Sequence, residues 1–285
     1  MKSHGFAEFS SGHVFLEAPR WHDGKLWLSD FFRRHVIAVA PDGAVETVVD
    51  VPNSPSGLGF LSDGSVLIVS RYDHKLLRLT PDGALTVHAD LAPFCGGDAN
   101  DMLVIKSGHA YVGNFGFDLA GGAEPTTTHL LHVTPDGEVT AVPGDVSFPN
   151  GVAQAGTTIF LAETLAHRIS AFDLQLDGTL TNYREWAPLP ETHNPDGITV
   201  DSDGGVWYGN ALTEGPEAGF YRVEEGGTVT DSILIDDGWG VACTFGGPSN
   251  DVLYLVTNDT NLPDFSHEKS KGYVRTASVG RRGAN

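Results

Sequence analysis

Ser54-Pro-Ser-Gly-Leu-Gly-Phe-Leu-Ser-Asp-Gly-Ser-Val-Leu-Ile-Val69, continued by Lys75-Leu-Leu-Arg-Leu-Thr-Pro-Asp-Gly83, is the stretch on which the reading of the fold turns. Its apolar segments are too short for helices and lack the i, i+3, i+4, i+7 spacing of an amphipathic face. Each is closed by Asp-Gly or Pro-Asp-Gly, where glycine adopts positive φ at no steric cost and the chain can reverse. The phrase therefore reads as a turn, a short strand, a Gly-bearing turn, a second strand and a third.

Working outward, the same phrase recurs in Phe148-Pro-Asn-Gly-Val152, Phe160-Leu-Ala-Glu-Thr164 and Arg168-Ile-Ser-Ala-Phe172, and its closing turn in Pro41-Asp-Gly43 and Pro135-Asp-Gly137. Further middle-strand runs are Lys25-Leu-Trp-Leu-Ser29, Ala110-Tyr-Val-Gly-Asn114, Val206-Trp-Tyr-Gly209 and Val252-Leu-Tyr-Leu-Val256. The first-turn positions, Glu17, Ser56, Asn100, Asn150, Asp196 and Trp239, fall 39 to 50 residues apart. A period of that length with about four strands per unit predicts an all-β, six-bladed β-propeller. A large β-sandwich would supply short strands but no fixed period. Six units use up the chain, so residues 1–285 are expected to form a single propeller domain. Gly5 to Phe15 reads as a lone strand, and the last unit, near Lys271–Ser278, is short of its outer strand. The N-terminal strand is predicted to complete the sixth blade and close the ring, which removes an open edge.

Lys+Arg number 17 against 37 Asp+Glu, a formal charge of −20. Nucleic acid and an anionic membrane surface are disfavoured as partners, because both need a basic footprint and Arg281-Arg282 is too short to supply one. No apolar run approaches the ~18 residues of a membrane span, and Met1–His13 carries no apolar h-region. Cys95 and Cys243 suit neither a disulfide framework nor a Cys-based zinc site, so a cytoplasmic location is expected.

Blade symmetry brings the six first-turn positions to one mouth of the channel. Glu17, Asn100, Asn150 and Asp196 each bring a side-chain oxygen there. Two carboxylates and two amides form a hard-oxygen set that suits one divalent ion, Ca²⁺ first, with Mg²⁺, Mn²⁺ or Zn²⁺ as alternatives. Without a cation the two carboxylates would repel and one would protonate. The competing reading is that Asn150-Gly151 and Asp196-Gly197 are plain turns; Glu17, a poor turn former, and recurrence at one blade position favour a shared site. No Gly-x-Ser-x-Gly elbow appears, and the histidines show no ligand spacing. His193, three residues before Asp196, could face the mouth. Trp239, Phe115 and Phe117 could wall a pocket or fill the space between blades, and Phe31, Phe32, Arg33 and Arg34 read as a solvated loop.

At Leu16-Glu-Ala-Pro-Arg-Trp21, Asn100-Asp101, Phe148-Pro-Asn-Gly151, Asn194-Pro-Asp-Gly197 with Gly205-Val-Trp-Tyr208, and Cys243-Thr-Phe-Gly-Gly-Pro248, the chain resembles the senescence marker protein (regucalcin), gluconolactonase and luciferin-regenerating enzyme family. The resemblance implies a channel metal held by Glu17, Asn150 and Asp196, with Asn100 binding substrate or the metal's inner water and Asp196 as candidate general base. The function it implies is metal-dependent hydrolysis of a small-molecule lactone, gluconolactonase-like, with a metal-activated water, by a monomer or dimer. Asn100 could donate to the developing oxyanion. Alternatives are hydrolysis of another ester such as an organophosphate, or a non-catalytic, metal-stabilised ligand-binding propeller. One position departs from the pattern: sugar-lactone members place an Arg two residues before Asn100, where this chain has Asp98.

Overall fold

In the structure, a computed structural model that describes residues 1–284, six sheets follow one another along the chain. The innermost strands of blades 1 to 6 are Leu16–His22, Pro55–Phe60, Ala99–Val104, Pro149–Ala155, Pro195–Val200 and Trp239–Gly246. Each is followed by antiparallel strands stepping outward, so the fold is the six-bladed propeller that the period predicts.

Middle strands such as Val66–Ser70, Ala110–Asn114 and Val206–Asn210 are buried along their whole length. Each blade is sandwiched between two neighbours and both of its faces are covered, which is why these strands read as continuous apolar runs and not as alternating ones. One apolar cluster joins Leu26 and Leu28 of blade 1 to Val256 and Val274 of blade 6; another joins Phe160 of blade 4 to Tyr208 of blade 5. The outermost strands face water, as in the exposed start of Val45–Asp50. The Asp-Gly signals are turns as read: Gly43 has φ 86°, its N–H donates to Ala40 O at 2.9 Å, and Asp42 Oδ1 accepts from Ala44 N.

Closure is as expected. Ala7–His13 pairs antiparallel with Lys271–Ala277 and is the outer strand of blade 6. Two further ties were not foreseen. Lys2–Ser3 runs parallel to Val229–Leu234 on the outer edge of blade 5, and the C-terminal stretch bridges Asp201 to Gly283. Arg281, half of the short basic cluster, bonds there to Asp203 and Asp231.

One irregularity repeats in every blade. The first residue of each inner strand pairs with the last residue of the next or one near it: Leu16 with Asp30, Pro55 with Ser70, Ala99 with Asn114, Pro149 with Glu163, Pro195 with Asn210, Trp239 with Asn258. Four residues on along the inner strand the partner has moved only three, so each inner strand carries one extra residue. Such a bulge bends the strand and re-aims side chains. It lies at or just after the first-turn positions.

Candidate functional site

The bulge register makes Glu17, Ser56, Asn100, Asn150 and Asp196 equivalent, each the second residue of its inner strand. In blade 6 the equivalent is Gly240, so Trp239 sits one place earlier than the repeat reading assigned it. Asn150-Gly151 and Asp196-Gly197 are not turns: both pairs lie within strands, and neither glycine has positive φ. Their glycines serve close packing around the axis. A Cβ on Gly151 would lie 2.5 Å from Asp196 O and 2.6 Å from Ile198 N, and one on Gly57 would lie 2.5 Å from Met102 N. Only the absent side chain lets neighbouring inner strands approach this far.

Glu17, Asn100, Asn150 and Asp196 come from four blades and line one cavity of about 80 Å³, which Thr164 also lines. All four are buried. Glu17 Oε2 accepts from Ala18 N at 3.2 Å, and Asn100 Nδ2 reaches Pro149 O at 3.4 Å. Asn150 Nδ2 donates to Thr164 Oγ1 at 3.2 Å, and that hydroxyl donates to Pro195 O at 2.8 Å, which orients the amide. Asp196 Oδ1 is buried with no hydrogen-bond partner.

Burial pushes the carboxyl of Glu17 well above its ordinary range, and the charges of Asp196 and Asp101 push it further. Asp196 is raised likewise, by burial first and then by Asp101. Asp101, which sequence reading passed over as a site residue, is itself buried and accepts from Arg20 Nη2 at 2.7 Å and from Met102 N at 2.8 Å. Its guanidinium partner offsets the third charge near the axis; Glu17 and Asp196 have none of their own. An orphaned carboxylate oxygen and two carboxyls pressed together out of water, with amide oxygens at hand, fit a hard divalent cation. Among the described residues no three His, Cys, Asp or Glu side chains form a cluster of their own, so a cation here would rely on the amides as well.

The walls are apolar. Phe15, Phe31, Phe115, Phe148, Trp239 and Phe265 line the cavity, with Phe115 stacked on Phe148 at 4.3 Å and Phe265 against Phe15 at 5.1 Å. Phe31 is 3% exposed, so Phe31 and Phe32 are not the solvated loop that their flanking arginines suggested: Phe32 packs on Phe15 and Phe265. Phe115 lines the cavity and Phe117 does not. His193 does not line it either; its Nδ1 is 2.6 Å from Tyr208 Oη and its ring lies against Tyr221. Asp98 is paired with the buried Arg71 (Nη2 to Oδ2, 2.9 Å), whose guanidinium lies over the Phe31 and Phe115 rings at 5.0 and 5.2 Å.

The SMP-30/Gluconolactonase/LRE-like region is matched by residues 15–259. The chain belongs to that family. Among curated relatives, the pentonolactonase XacC of Haloferax volcanii is 30% identical over 162 residues, covering 55% of this chain and 52% of that protein. A virginiamycin B lyase of Nocardia farcinica is 27% identical over 187 residues, covering 63% and 57%. The alignments with these two span little more than half of the relatives' own lengths. An L-arabinolactonase of Azospirillum brasilense is 25% identical over 228 residues, covering 78% and 73%. Among solved structures, the calcium-binding protein regucalcin of Agrobacterium tumefaciens superposes with a TM-score of 0.80 at 20% identity, covering 100% of this chain and 97% of that one. A luciferin-regenerating enzyme does so with 0.79 at 18%, covering 95% and 94%. At these identities the likeness establishes the fold.

The family match begins at Phe15, the wall residue beside Glu17, and ends at Asp259, just short of Phe265. Phe265 belongs to the short helix Leu262–Phe265, inserted between Val252–Asp259 and Lys271–Ala277 of blade 6, which had no sequence signal. Phe31 and Phe115, in contrast, follow the last residue of equivalent middle strands, as do Thr164 and Ala211, so the same alignment of repeats locates this second ring of lining residues.

Proposed function

We propose that the chain hydrolyses a small-molecule lactone with the help of one divalent ion, the whole chain acting as a single propeller domain. The observation that carries this reading is the convergence of Glu17, Asn100, Asn150 and Asp196 on one cavity, with Asp196 Oδ1 buried and unpartnered. Membership of the family and the lactonase names of two relatives support it.

Glu17, Asn150 and Asp196 would hold the ion, calcium being favoured by the all-oxygen set. Bound there, a divalent ion supplies positive charge that keeps the carboxyls ionised and polarises an ester carbonyl. Asp196 then takes the proton from the attacking water, because its Oδ1 has no donor to satisfy it. Asn100, tied only by its 3.4 Å contact to Pro149 O, donates from Nδ2 to the oxygen on which charge develops. The apolar walls exclude bulk water, which strengthens each of these interactions. Cys95 and Cys243 are both free thiols, in keeping with a reducing, cytoplasmic setting.

The test is dialysis against a chelator, followed by the hydrolysis of unsubstituted δ-valerolactone with and without added Ca²⁺, Mn²⁺, Mg²⁺ or Zn²⁺. Activity is expected to disappear on chelation and to return with one of these ions in the native chain but not in Asp196→Ala. Undiminished hydrolysis after chelation contradicts the metal requirement, and the absence of hydrolysis under every condition contradicts the lactonase assignment.

A further inference from the structure

Resting on the lactonase reading, we infer the substrate class: a lactone whose ring carries an alkyl or aryl substituent, in preference to a polyhydroxylated sugar lactone. Besides Trp239, the polar side chains that line the cavity are Glu17, Asn100, Asn150, Asp196 and Thr164, and on that reading each already has a task in binding the ion, assisting the reaction or, for Thr164, holding Asn150. With them stand six aromatic side chains, and at the rim Leu119 and Leu262, 38% and 57% exposed, continue the apolar surface outward. The one wall side chain with a polar atom is Trp239, whose buried, unpartnered Nε1 offers a single donor.

A sugar lactone placed here would exchange water for ring faces around each hydroxyl, and a hydroxyl buried without a partner opposes binding. An alkyl chain on the same ring would gain by leaving water. Arg71 and Asp98, a further pair able to bind hydroxyls, do not line the cavity. They pair with each other at 2.9 Å, and the Arg71 guanidinium lies over the Phe31 and Phe115 rings. The overall charge of −20 adds a general bias against anionic substrates.

The experiment compares initial rates on two six-membered lactones, δ-decalactone and D-glucono-δ-lactone, with unsubstituted δ-valerolactone as reference and spontaneous hydrolysis subtracted. The expected result is a kcat/KM for δ-decalactone at least about tenfold above that for gluconolactone. An equal or higher value for gluconolactone overturns the inference while leaving the lactonase reading intact. Failure to cleave any of the three overturns both. In Leu262→Ser, at an exposed rim position where the fold is not at risk, the decalactone-to-gluconolactone ratio is expected to fall by about threefold or more. An unchanged ratio in this variant means that the apolar rim does not select the substrate and also counts against the inference.

Discussion

Asp196 and Asp201 stand five residues apart, at either end of the inner strand Pro195–Val200, and both are buried. Around Asp201 every direction is answered. Arg222 Nε donates to its Oδ2 at 2.6 Å, Trp207 Nε1 donates at 3.0 Å, and the N–H groups of Asp203 and Gly205 donate to Oδ1 at 3.0 Å each. Around Asp196 stand two more carboxyls; the Gly197 N–H and the Asn150 side chain face the carboxyl, but its Oδ1 has no donor. One strand thus holds a carboxylate whose bonds are all spent on the fold and another whose capacity is left over. The first kind knits the sheet; the second is the kind on which the proposed function rests.

The comparison can be broken by substituting each in turn. Asp201→Ala leaves Nε and Nη2 of the buried Arg222 without their acceptor, and a loss of about 3–5 kcal/mol in unfolding free energy is expected from urea denaturation. Asp196→Ala removes a buried carboxyl that stands beside two others with one oxygen unpartnered, so in metal-free buffer its stability is expected to match or exceed the native chain's by up to about 1 kcal/mol, while lactone hydrolysis is lost. Equal destabilisation by the two substitutions would erase the distinction.

Next in size is the packing that brings the lining residues together. Gly151→Ala places a Cβ 2.5 Å from Asp196 O, so a cost of about 2–3 kcal/mol is expected together with reduced activity, since relief requires the inner strands of blades 4 and 5 to part. Asp98→Ala should cost less, about 1–2 kcal/mol, because Arg71 keeps its aromatic contacts and the lost partner is partly exposed. The smallest effect, about 1 kcal/mol, is expected for Ser29→Ala, which deletes one buried hydrogen bond of 2.6 Å to Ser56 O and leaves Glu17, Asn150 and Asp196 in place. Both are read by thermal or urea unfolding, with hydrolysis as the control.

How far these features were legible in the sequence follows from how they are encoded. The ring, its closure by Ala7–His13 and the convergence of Glu17, Asn100, Asn150 and Asp196 all depend on a repeat, and a repeat is visible as spacing. The one-residue displacement of Trp239 was hidden because its blade carries glycine at the equivalent place, leaving the large neighbouring side chain to attract the reading. The role of Gly151 and Gly197 was hidden for another reason: Asn-Gly and Asp-Gly in a chain rich in turns look like turns, and only the proximity of the next inner strand shows that they serve close approach. Phe31 was misread because two arginines follow it, although its burial is set by Phe15 and Phe265 from other parts of the chain. The pairing of Asp98 with Arg71 joins blades 2 and 3 across a distance in sequence that no local motif reports.

The most direct test of the account is calorimetric titration of metal-free protein with Ca²⁺ and, in separate runs, with Mn²⁺ and Zn²⁺, performed on the native chain and on Asp196→Asn. The account predicts that at least one of these ions saturates the native chain at one per molecule and that the variant binds it more than about tenfold more weakly. Failure of every ion to bind the native chain, or equal binding by the variant, would contradict it.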